Sequence, residues 1–215
     1  MAQPDKTPQA SPATEALVQG PEAASRRLVL LHGWGADADD LLDLGTELVD
    51  ADTVSVVALR APQPHPAGSG RQWYALSPAP GWHELPEARR ALRSRLQSLA
   101  ASVPLEHTAL LGFSQGAAMA LDAAIDLPLA ALIACSGYPH PDWQPQPRTP
   151  VLLTHGREDP VVMATASDEL ERRLQEAGGR VRRVNFTGGH GIDPELFPVM
   201  REFLQAGWAG SAGKG

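Results

Sequence analysis

Short apolar runs alternate with longer amphipathic stretches along most of the chain. Five of the short runs cover residues 28–31, 54–59, 108–111, 129–135 and 151–154. Their apolar residues follow one another without polar alternation, which is typical of strands that a parallel sheet buries on both faces. In a sixth run, residues 180–186, arginines interrupt Val181, Val184 and Phe186, and this pattern predicts a strand near the sheet edge.

The amphipathic stretches have the three- and four-residue spacing of helices. They cover residues 39–49, 86–103, 115–127 and 166–177, and Asp193 with Pro194 provides the N-cap and first-turn proline of a last helix. Residues 115–127 are small and apolar on nearly all sides, which predicts a buried helix. Strands that alternate with helices predict an α/β fold with an open, mostly parallel sheet and helices on both faces.

The two ends of the chain differ in composition from its middle. Residues 1–24 are rich in Pro, Ala, Gln and Thr, with Leu17 and Val18 as the only aliphatic pair, so a disordered tail is expected. They also lack the basic start and apolar stretch of a secretory signal. Residues 209–215, AGSAGKG, are expected to be flexible. The prediction is therefore a single domain over residues 25–208.

Charge and cysteine content narrow the possible partners. The 18 Lys and Arg against 25 Asp and Glu give a formal net charge of −7, which argues against a nucleic-acid or anionic-membrane surface. No apolar run approaches the ~18 residues of a membrane span. A single cysteine leaves no intrachain disulfide and no Cys-rich zinc site, so a reducing, cytoplasmic location is expected.

The most informative motif is the G-x-S-x-G of residues 112–116, with Ser114 at its centre. It follows an apolar strand and opens a helix of small residues, which is the context that a nucleophile elbow requires. The two glycines allow a tight turn that raises the serine hydroxyl above the sheet. A buried serine in an ordinary strand–helix turn is the alternative, and the context favours a nucleophile.

A serine hydroxyl needs a base, normally a histidine that a carboxylate orients. In this architecture the order along the chain is serine, acid, histidine. Three histidines follow Ser114, and His190, between glycines just past the last strand, is the only one that also follows the best acid, Asp159. His140 lies in an irregular loop, and His155 ends a strand. Asp159 comes five residues past a strand, at the carboxyl edge where α/β sites form.

Acyl transfer also needs N–H donors for the oxyanion. The backbone N–H of Gln115, directly after the serine, is one candidate. The second is the backbone N–H of Trp34 in the H-G-x-G of residues 32–35, which follows an early strand; His32 is then expected to hydrogen-bond within the loop rather than carry protons. Trp34 and Trp73 are also predicted to bind substrate, because loop aromatics suit an apolar pocket. These aromatics could instead only cover the rim of the core.

Several segments together resemble the phospholipase/carboxylesterase family of small α/β-hydrolases, which includes the acyl-protein thioesterases. In order, they are LLHGWGADADDLL, LRAPQP, RQWYAL, GFSQGAAMAL, CSGYP, PVLLTHGREDPVV and FTGGHGIDPEL, within residues 28–204. The resemblance implies an eight-stranded type of sheet without a large cap, a Ser114–Asp159–His190 triad, and an oxyanion hole at Trp34 and Gln115. Trp34 stands where the family usually has leucine, which narrows the expected acyl pocket.

These observations predict a carboxylesterase that forms an acyl-enzyme and accepts short to medium acyl chains. Its expected partner is a small-molecule ester, and the chain is expected to be a monomer or homodimer. No phosphate loop, dinucleotide fingerprint or metal-ligand spacing is present, so neither a metal nor an organic cofactor is expected. An acyl thioesterase or a lysophospholipase would use the same residues. A catalytically silent binding module is a further alternative, against which the complete Ser–Asp–His order counts.

Overall fold

A computed structural model describes residues 15–76 and 82–212 of the chain. Its main sheet contains seven strands, which are β1 (Ala16–Gln19), β2 (Arg26–Leu31), β3 (Val54–Leu59), β6 (Thr108–Phe113), β7 (Ala131–Cys135), β8 (Val151–Gly156) and β9 (Val181–Phe186). The spatial order is β1-β3-β2-β6-β7-β8-β9. Among the described strands of this sheet, β1 and β3 form the one antiparallel pair, and the other pairs are parallel. Between β3 and β6, β4 (Gln63–Pro64) and β5 (Arg71–Gln72) form a separate antiparallel pair.

Helices cover both faces of the main sheet. They are α1 (Leu42–Leu48), α2 (Leu85–Ser98), α3 (Gln115–Ala124), α4 (Thr165–Glu176) and α5 (Phe197–Ala212). Apolar residues of α2, α3 and α4 share one core cluster with Val29 and Leu31, and those of α1 and α5 share the other with Leu28 and Leu30. Neighbouring residues of β2 therefore point into opposite layers, as the pleat of a strand requires. Within the described residues, no helix is long and apolar enough to cross a membrane.

The α/β architecture is confirmed, and the six predicted strands correspond to β2, β3, β6, β7, β8 and β9. The alternating run is β9, which lies at the sheet edge as predicted. An edge strand is partly open to water, and this exposure accounts for the arginines between its apolar residues. The main sheet has seven strands in the described ranges rather than the eight that the family resemblance implies. No large cap domain interrupts it there.

The structure differs from the prediction at both ends of the chain. Residues 16–19 were expected in a disordered tail, but they form β1, because the strand pairs with β3 and half-buries Ala16 and Leu17 against the two core clusters. The Glu15 carbonyl also accepts a hydrogen bond from the Arg60 N–H at 2.8 Å. At the other end α5 continues past Trp208 to Ala212. The rest of the predicted tail, residues 1–14, and residues 213–215 lie outside the described residues.

The parallel strands bring their carboxyl ends to one edge of the sheet. The segments that follow β2, β6, β8 and β9 begin at His32, Ser114, Arg157 and Thr187. Because a ligand site of an α/β sheet forms outside the carboxyl ends of its strands, these segments are placed to build one.

Candidate active site

Ser114 lies at the sharp turn between β6 and α3, in an unusual backbone conformation. Its φ of 54° and ψ of −117° are strained for a residue with a side chain. The turn is tight because a Cβ on Gly112 would lie 2.4 Å from the Gly116 carbonyl oxygen, and one on Gly116 would lie 2.2 Å from that of Leu31. The Ser114 N–H donates to the Cys135 carbonyl at 2.9 Å and ties the turn to β7. The hydroxyl is thereby held at the carboxyl edge of the sheet.

Ser114, His190 and Asp159 form one hydrogen-bonded chain. The His190 Nε2 lies 2.9 Å from the Ser114 Oγ, and its Nδ1 lies 2.7 Å from the Asp159 Oδ2. Because a carboxylate only accepts, Nδ1 carries the imidazole proton and Nε2 is left to accept the serine proton. The Phe113 ring packs against the imidazole with a centroid distance of 4.9 Å. The structure thus brings these three sequence-predicted residues together in the geometry that proton transfer requires.

The Asp159 carboxylate is buried and held from both sides. Its Oδ1 accepts hydrogen bonds from the N–H groups of Val161 and Val162, both at 2.9 Å. Burial raises the pKa of Asp159, but the hydrogen bonds from His190, Val162 and Val161 outweigh it, so the pKa lies below its ordinary value. Asp159 therefore stays ionised beside the imidazole at neutral pH.

Two backbone N–H groups, those of Trp34 and Gln115, have no protein acceptor within the described residues. Both residues line one cavity with Ser114 and His190. The loop of Trp34 runs beside the serine turn, since a Cβ on Gly33 would lie 3.5 Å from the Ser114 Cβ. Unpaired donors beside a nucleophile are suited to stabilise the negative oxygen of a tetrahedral intermediate.

His32 holds the loop that carries the Trp34 N–H. Its Nδ1–H donates to the Gly33 carbonyl at 2.8 Å, and its Nε2 accepts the Ala61 N–H at 3.1 Å. Burial lowers the pKa of His32, although the Gly33 hydrogen bond opposes that effect. The neutral imidazole is the form that makes both bonds, and the structure has the predicted hydrogen bond of His32 within its loop.

The β4–β5 hairpin braces the same loop, a contact that the sequence pattern did not predict. The Gly35 N–H donates to the Arg71 carbonyl at 2.9 Å, and the Arg71 N–H donates to the Ala36 carbonyl at 2.8 Å. The Trp34 indole N–H donates to the Gln72 Oε1 at 2.9 Å. The only signal in the sequence was the unusual length of the connection after β3, which is typical of functional loops.

Trp73 was predicted to wall the substrate pocket, and the structure corrects this. Its side chain is buried, with 2% exposure, and its indole N–H donates to the His32 carbonyl at 2.9 Å. Its backbone N–H donates to the Gln115 side-chain oxygen at 2.9 Å, and the Gln115 amide donates to the Tyr74 carbonyl at 2.8 Å. These bonds draw Trp73 beneath the Trp34 loop, where it supports the site without lining its cavity.

The cavity at Ser114 has a volume of about 390 Å³. Among the described residues that line it, only His190 and one phenol are ionisable, and the rest are mainly aromatic and aliphatic. The lining residues are Trp34, Leu76, Trp82, Ser114, Gln115, Tyr138, Val161, Val162 and His190. A larger groove, about 610 Å³, lies between residues 128–130 and α5 and includes none of the predicted site residues.

Within residues 15–76 and 82–212, no group of three or more His, Cys, Asp or Glu side chains is arranged to hold a metal ion. The residues at the cavity offer a serine hydroxyl, an imidazole, a carboxylate and two backbone N–H groups. A nucleophile, a base, an orienting acid and oxyanion donors are the parts of acyl transfer.

Comparison with known proteins gives a consistent set of relatives. The family model described as Phospholipase/Carboxylesterase matches residues 12–207. Esterase YpfH of Escherichia coli (strain K12) is 28% identical over 200 residues, which are 88% of this chain and 86% of that protein. Acyl-protein thioesterase 1 of Neurospora crassa is 30% identical over 116 residues, 47% of this chain and 46% of that protein.

Solved structures agree with these sequence matches. The crystal structure of esterase PE8 has a TM-score of 0.81 and 30% identity, and the match covers 89% of this chain and 97% of that one. The Bacillus cereus carboxylesterase has a TM-score of 0.78 at 20% identity, with 89% and 93% covered, and this likeness shows the fold. The fold likeness and the family model both match the chain with esterases.

Proposed function

The chain belongs to the phospholipase/carboxylesterase family of α/β-hydrolases, and we propose that it cleaves carboxylic esters through an acyl-enzyme formed on Ser114. The observation that carries the proposal is the chain of two hydrogen bonds from Asp159 through His190 to the Ser114 hydroxyl, at 2.7 and 2.9 Å. Each member accepts or donates in the sense that general-base catalysis requires.

In the first half of the reaction, His190 Nε2 takes the proton of Ser114 as the Oγ attacks the acyl carbonyl carbon. Asp159 holds the imidazole tautomer and stabilises the imidazolium that forms. The N–H groups of Trp34 and Gln115 donate to the oxygen that becomes negative, and each such donor contributes on the order of 3–4 kcal/mol to transition-state stabilisation. His190 then gives its proton to the leaving alcohol, whose bond to the acyl carbon breaks.

Water completes the cycle. His190 removes a proton from the water that attacks the acyl-enzyme, the same two N–H groups hold the second oxyanion, and the proton returns to the Ser114 oxygen as the acid leaves. The chain's own residues supply every proton transfer in this scheme.

Labelling with a fluorophosphonate tests the proposal, because this reagent phosphonylates activated serines. We expect labelling of the wild type and hydrolysis of p-nitrophenyl butyrate, and loss of both in Ser114→Ala with the fold retained by circular dichroism. Ser136→Ala is a matched control, because Ser136 also has a positive φ, 49°, but does not line the cavity. This variant should be labelled to the same extent as the wild type. Labelling that persists in Ser114→Ala would contradict the assignment.

We propose that the enzyme prefers short to medium acyl chains, roughly C2 to C8, because the Trp34 indole walls a cavity of about 390 Å³. Each accommodated methylene adds up to ~0.8 kcal/mol of transition-state binding until the chain meets the wall. In a p-nitrophenyl ester series, kcat/KM should therefore rise with chain length and then fall. Trp34→Leu should move the maximum to longer chains, since the N–H donor belongs to the backbone. An optimum at C12 or an unmoved maximum would contradict this.

Thioester hydrolysis is the second candidate, favoured by the relative named acyl-protein thioesterase. The same serine, base and oxyanion donors would serve it. Values of kcat/KM on an oxygen ester and a sulfur ester with one acyl group separate the two. A cytoplasmic location also stays a proposal; the single cysteine supports it, since a chain with one cysteine forms no intrachain disulfide.

A further inference from the structure

A second aspartate–histidine pair lies next to the cavity and ends on a tyrosine. The Arg89 guanidinium lies 2.7 Å from the Asp122 Oδ2, which lies 2.6 Å from the His140 Nδ1. The His140 Nε2 lies 2.9 Å from the Tyr74 hydroxyl, and that hydroxyl lies 2.7 Å from the hydroxyl of Tyr138. Tyr138 lines the cavity with Ser114 and His190. We call these five residues the tyrosine relay.

Water has little access to the interior of the tyrosine relay. Tyr74 is 0% and His140 1% exposed, and the Asp122 side chain is 5% exposed. The Trp82 ring covers the tyrosines and the imidazole, with centroids 5.2 Å from Tyr74 and 5.5 Å from His140. The hydrogen bonds among Asp122, His140 and Tyr74 are thus shielded from solvent, and their directions are set by the relay itself.

Those directions follow from counting donors. Asp122, facing Arg89, is a carboxylate and only accepts, so the His140 Nδ1 must donate to it. An imidazole that carries its proton on Nδ1 accepts at its other nitrogen, so the His140 Nε2 takes the hydrogen bond from the Tyr74 hydroxyl. Tyr74 has one proton, and its oxygen must therefore accept the proton of Tyr138.

Both phenols keep their protons at neutral pH. Burial raises the pKa of Tyr138 to about 12 and, together with the neighbouring Tyr138, raises that of Tyr74 above its ordinary value. The Tyr138 proton is committed to Tyr74, and within the described residues the Tyr138 oxygen has no other hydrogen-bond partner. Its remaining lone pair is free to accept.

We propose that Tyr138 is a substrate-binding residue that presents a hydrogen-bond acceptor to the cavity and so selects esters that carry a hydroxyl or amide N–H donor. Tyr74 and His140 are positioning residues, which hold the phenol in the accepting orientation. The inference rests on the proposed ester hydrolysis at Ser114 and adds the class of substrate. A site that is ready to accept a hydrogen bond discriminates against an analogue that lacks the donor, because the oxygen is then left unpaired.

Ester pairs that differ in one donor test the inference. On the acyl side, the probes are ethyl esters of N-acetylglycine, N-acetyl-β-alanine and N-acetyl-4-aminobutanoate. Each is compared with the same ester in which a methyl group replaces the hydrogen on the amide nitrogen. On the alcohol side, 2-hydroxyethyl butanoate is compared with 2-methoxyethyl butanoate. In the wild type, kcat/KM should favour the donor in at least one pair by roughly three- to tenfold. Tyr138→Phe should bring that ratio to about one, and the comparison between proteins cancels the size of the added methyl group.

Two further variants make the test specific. Tyr74→Phe keeps the Tyr138 hydroxyl but removes the oxygen to which it donates. The Tyr138 phenol is then free to donate to the substrate, and the ratio of kcat/KM values should also fall. This variant tests the inference if Tyr138→Phe does not fold. Val161→Ala changes another wall of the cavity and should keep the ratio. A wild type without preference for the donor in any pair, or an unchanged ratio in a folded Tyr138→Phe, overturns the inference.

Hydrolysis of ethyl butanoate and fluorophosphonate labelling of the wild type separate this result from the parent proposal. If both are absent, ester hydrolysis at Ser114 is wrong. If both are present while the donor ratios are flat, only the role of Tyr138 is wrong.

Discussion

Two aspartate–histidine pairs adjoin one cavity and differ in what completes them. In both, an imidazole Nδ1 meets a carboxylate oxygen at nearly the same distance, 2.7 Å for His190 and Asp159 and 2.6 Å for His140 and Asp122. The His190 side chain is 17% exposed and its Nε2 meets an aliphatic hydroxyl, whereas His140 is fully enclosed and meets a phenol.

The counter-groups of the two carboxylates also differ. Two backbone N–H groups hold Asp159, the His155 Nε2 lies 3.3 Å from its Oδ2, and no arginine or lysine within the described residues pairs with it, so the carboxylate can stabilise a positive charge on the His190 imidazole. Arg89 holds Asp122, and a second cation on His140 would share one carboxylate with it. An Asp–His pair is suited to act as a base where its imidazole is accessible and its carboxylate does not already face a fixed cation.

Removal of each imidazole gives the largest contrast. His190→Ala should lower kcat/KM for p-nitrophenyl butyrate by roughly 10³–10⁴-fold or more, because members of a triad act as a unit. His140→Ala should keep activity within about tenfold, but it should lower the free energy of unfolding by about 1–3 kcal/mol, since it leaves buried partners unpaired. Turnover and urea unfolding of the two variants measure both effects. Equal loss of turnover in a folded His140→Ala would show that the two histidines do not differ in role.

Neutralisation of each carboxylate should give the same contrast at smaller size. Asp159→Asn should reduce kcat by about 10³–10⁴-fold, because an amide permits the wrong imidazole tautomer. Asp122→Asn leaves Arg89 and His140 without their carboxylate and should cost about 1–3 kcal/mol of stability, with turnover reduced far less. Steady-state kinetics and thermal melts distinguish the two outcomes. A turnover defect in Asp122→Asn as large as in Asp159→Asn would show that the relay takes part in proton transfer.

The pH dependence of stability is the smallest expected effect. Because the folded-state pKa of Asp159 lies below its unfolded value of ~3.9, its ionisation stabilises the fold above that value. This contribution should be lost as the pH falls through the unfolded pKa towards the folded one. Urea midpoints between about pH 6 and pH 3 should therefore fall less steeply in Asp159→Asn than in the wild type. Parallel slopes would show that the carboxylate is not stabilised in the fold.

The sequence could predict one of these pairs and not the other. Glycines at fixed spacing identify Ser114 as the candidate nucleophile. The order serine, acid, histidine along the chain then leaves few candidates for the acid and the base besides Asp159 and His190. Asp122 lies on a helix that is nearly all apolar after Gln115, and His140 lies in an irregular loop, so no periodicity joins them. Their partnership depends on tertiary packing between α3 and the segment after β7.

The remaining differences have similar physical causes. A tryptophan in a loop has the same appearance in the sequence whether it walls a cavity or packs beneath it, so the position of Trp73 could not be read from its type. β1 is a short strand with two aliphatic residues, and its backbone hydrogen bonds to the edge of β3 hold it in the sheet. The apolar runs of the central strands, by contrast, predict their own burial and were placed correctly.

The proposed nucleophile and its proposed base follow strands at different places in the sheet. Ser114 follows β6, which has a strand on each side, whereas His190 follows β9, the last strand at one edge. Edge elements open locally at lower free energy than central ones. When β9 detaches, the imidazole departs from the serine while the central strands remain paired. Loss of activity on heating should therefore precede global melting and reverse on cooling, and an activity assay and circular dichroism over the same temperatures would measure the two transitions.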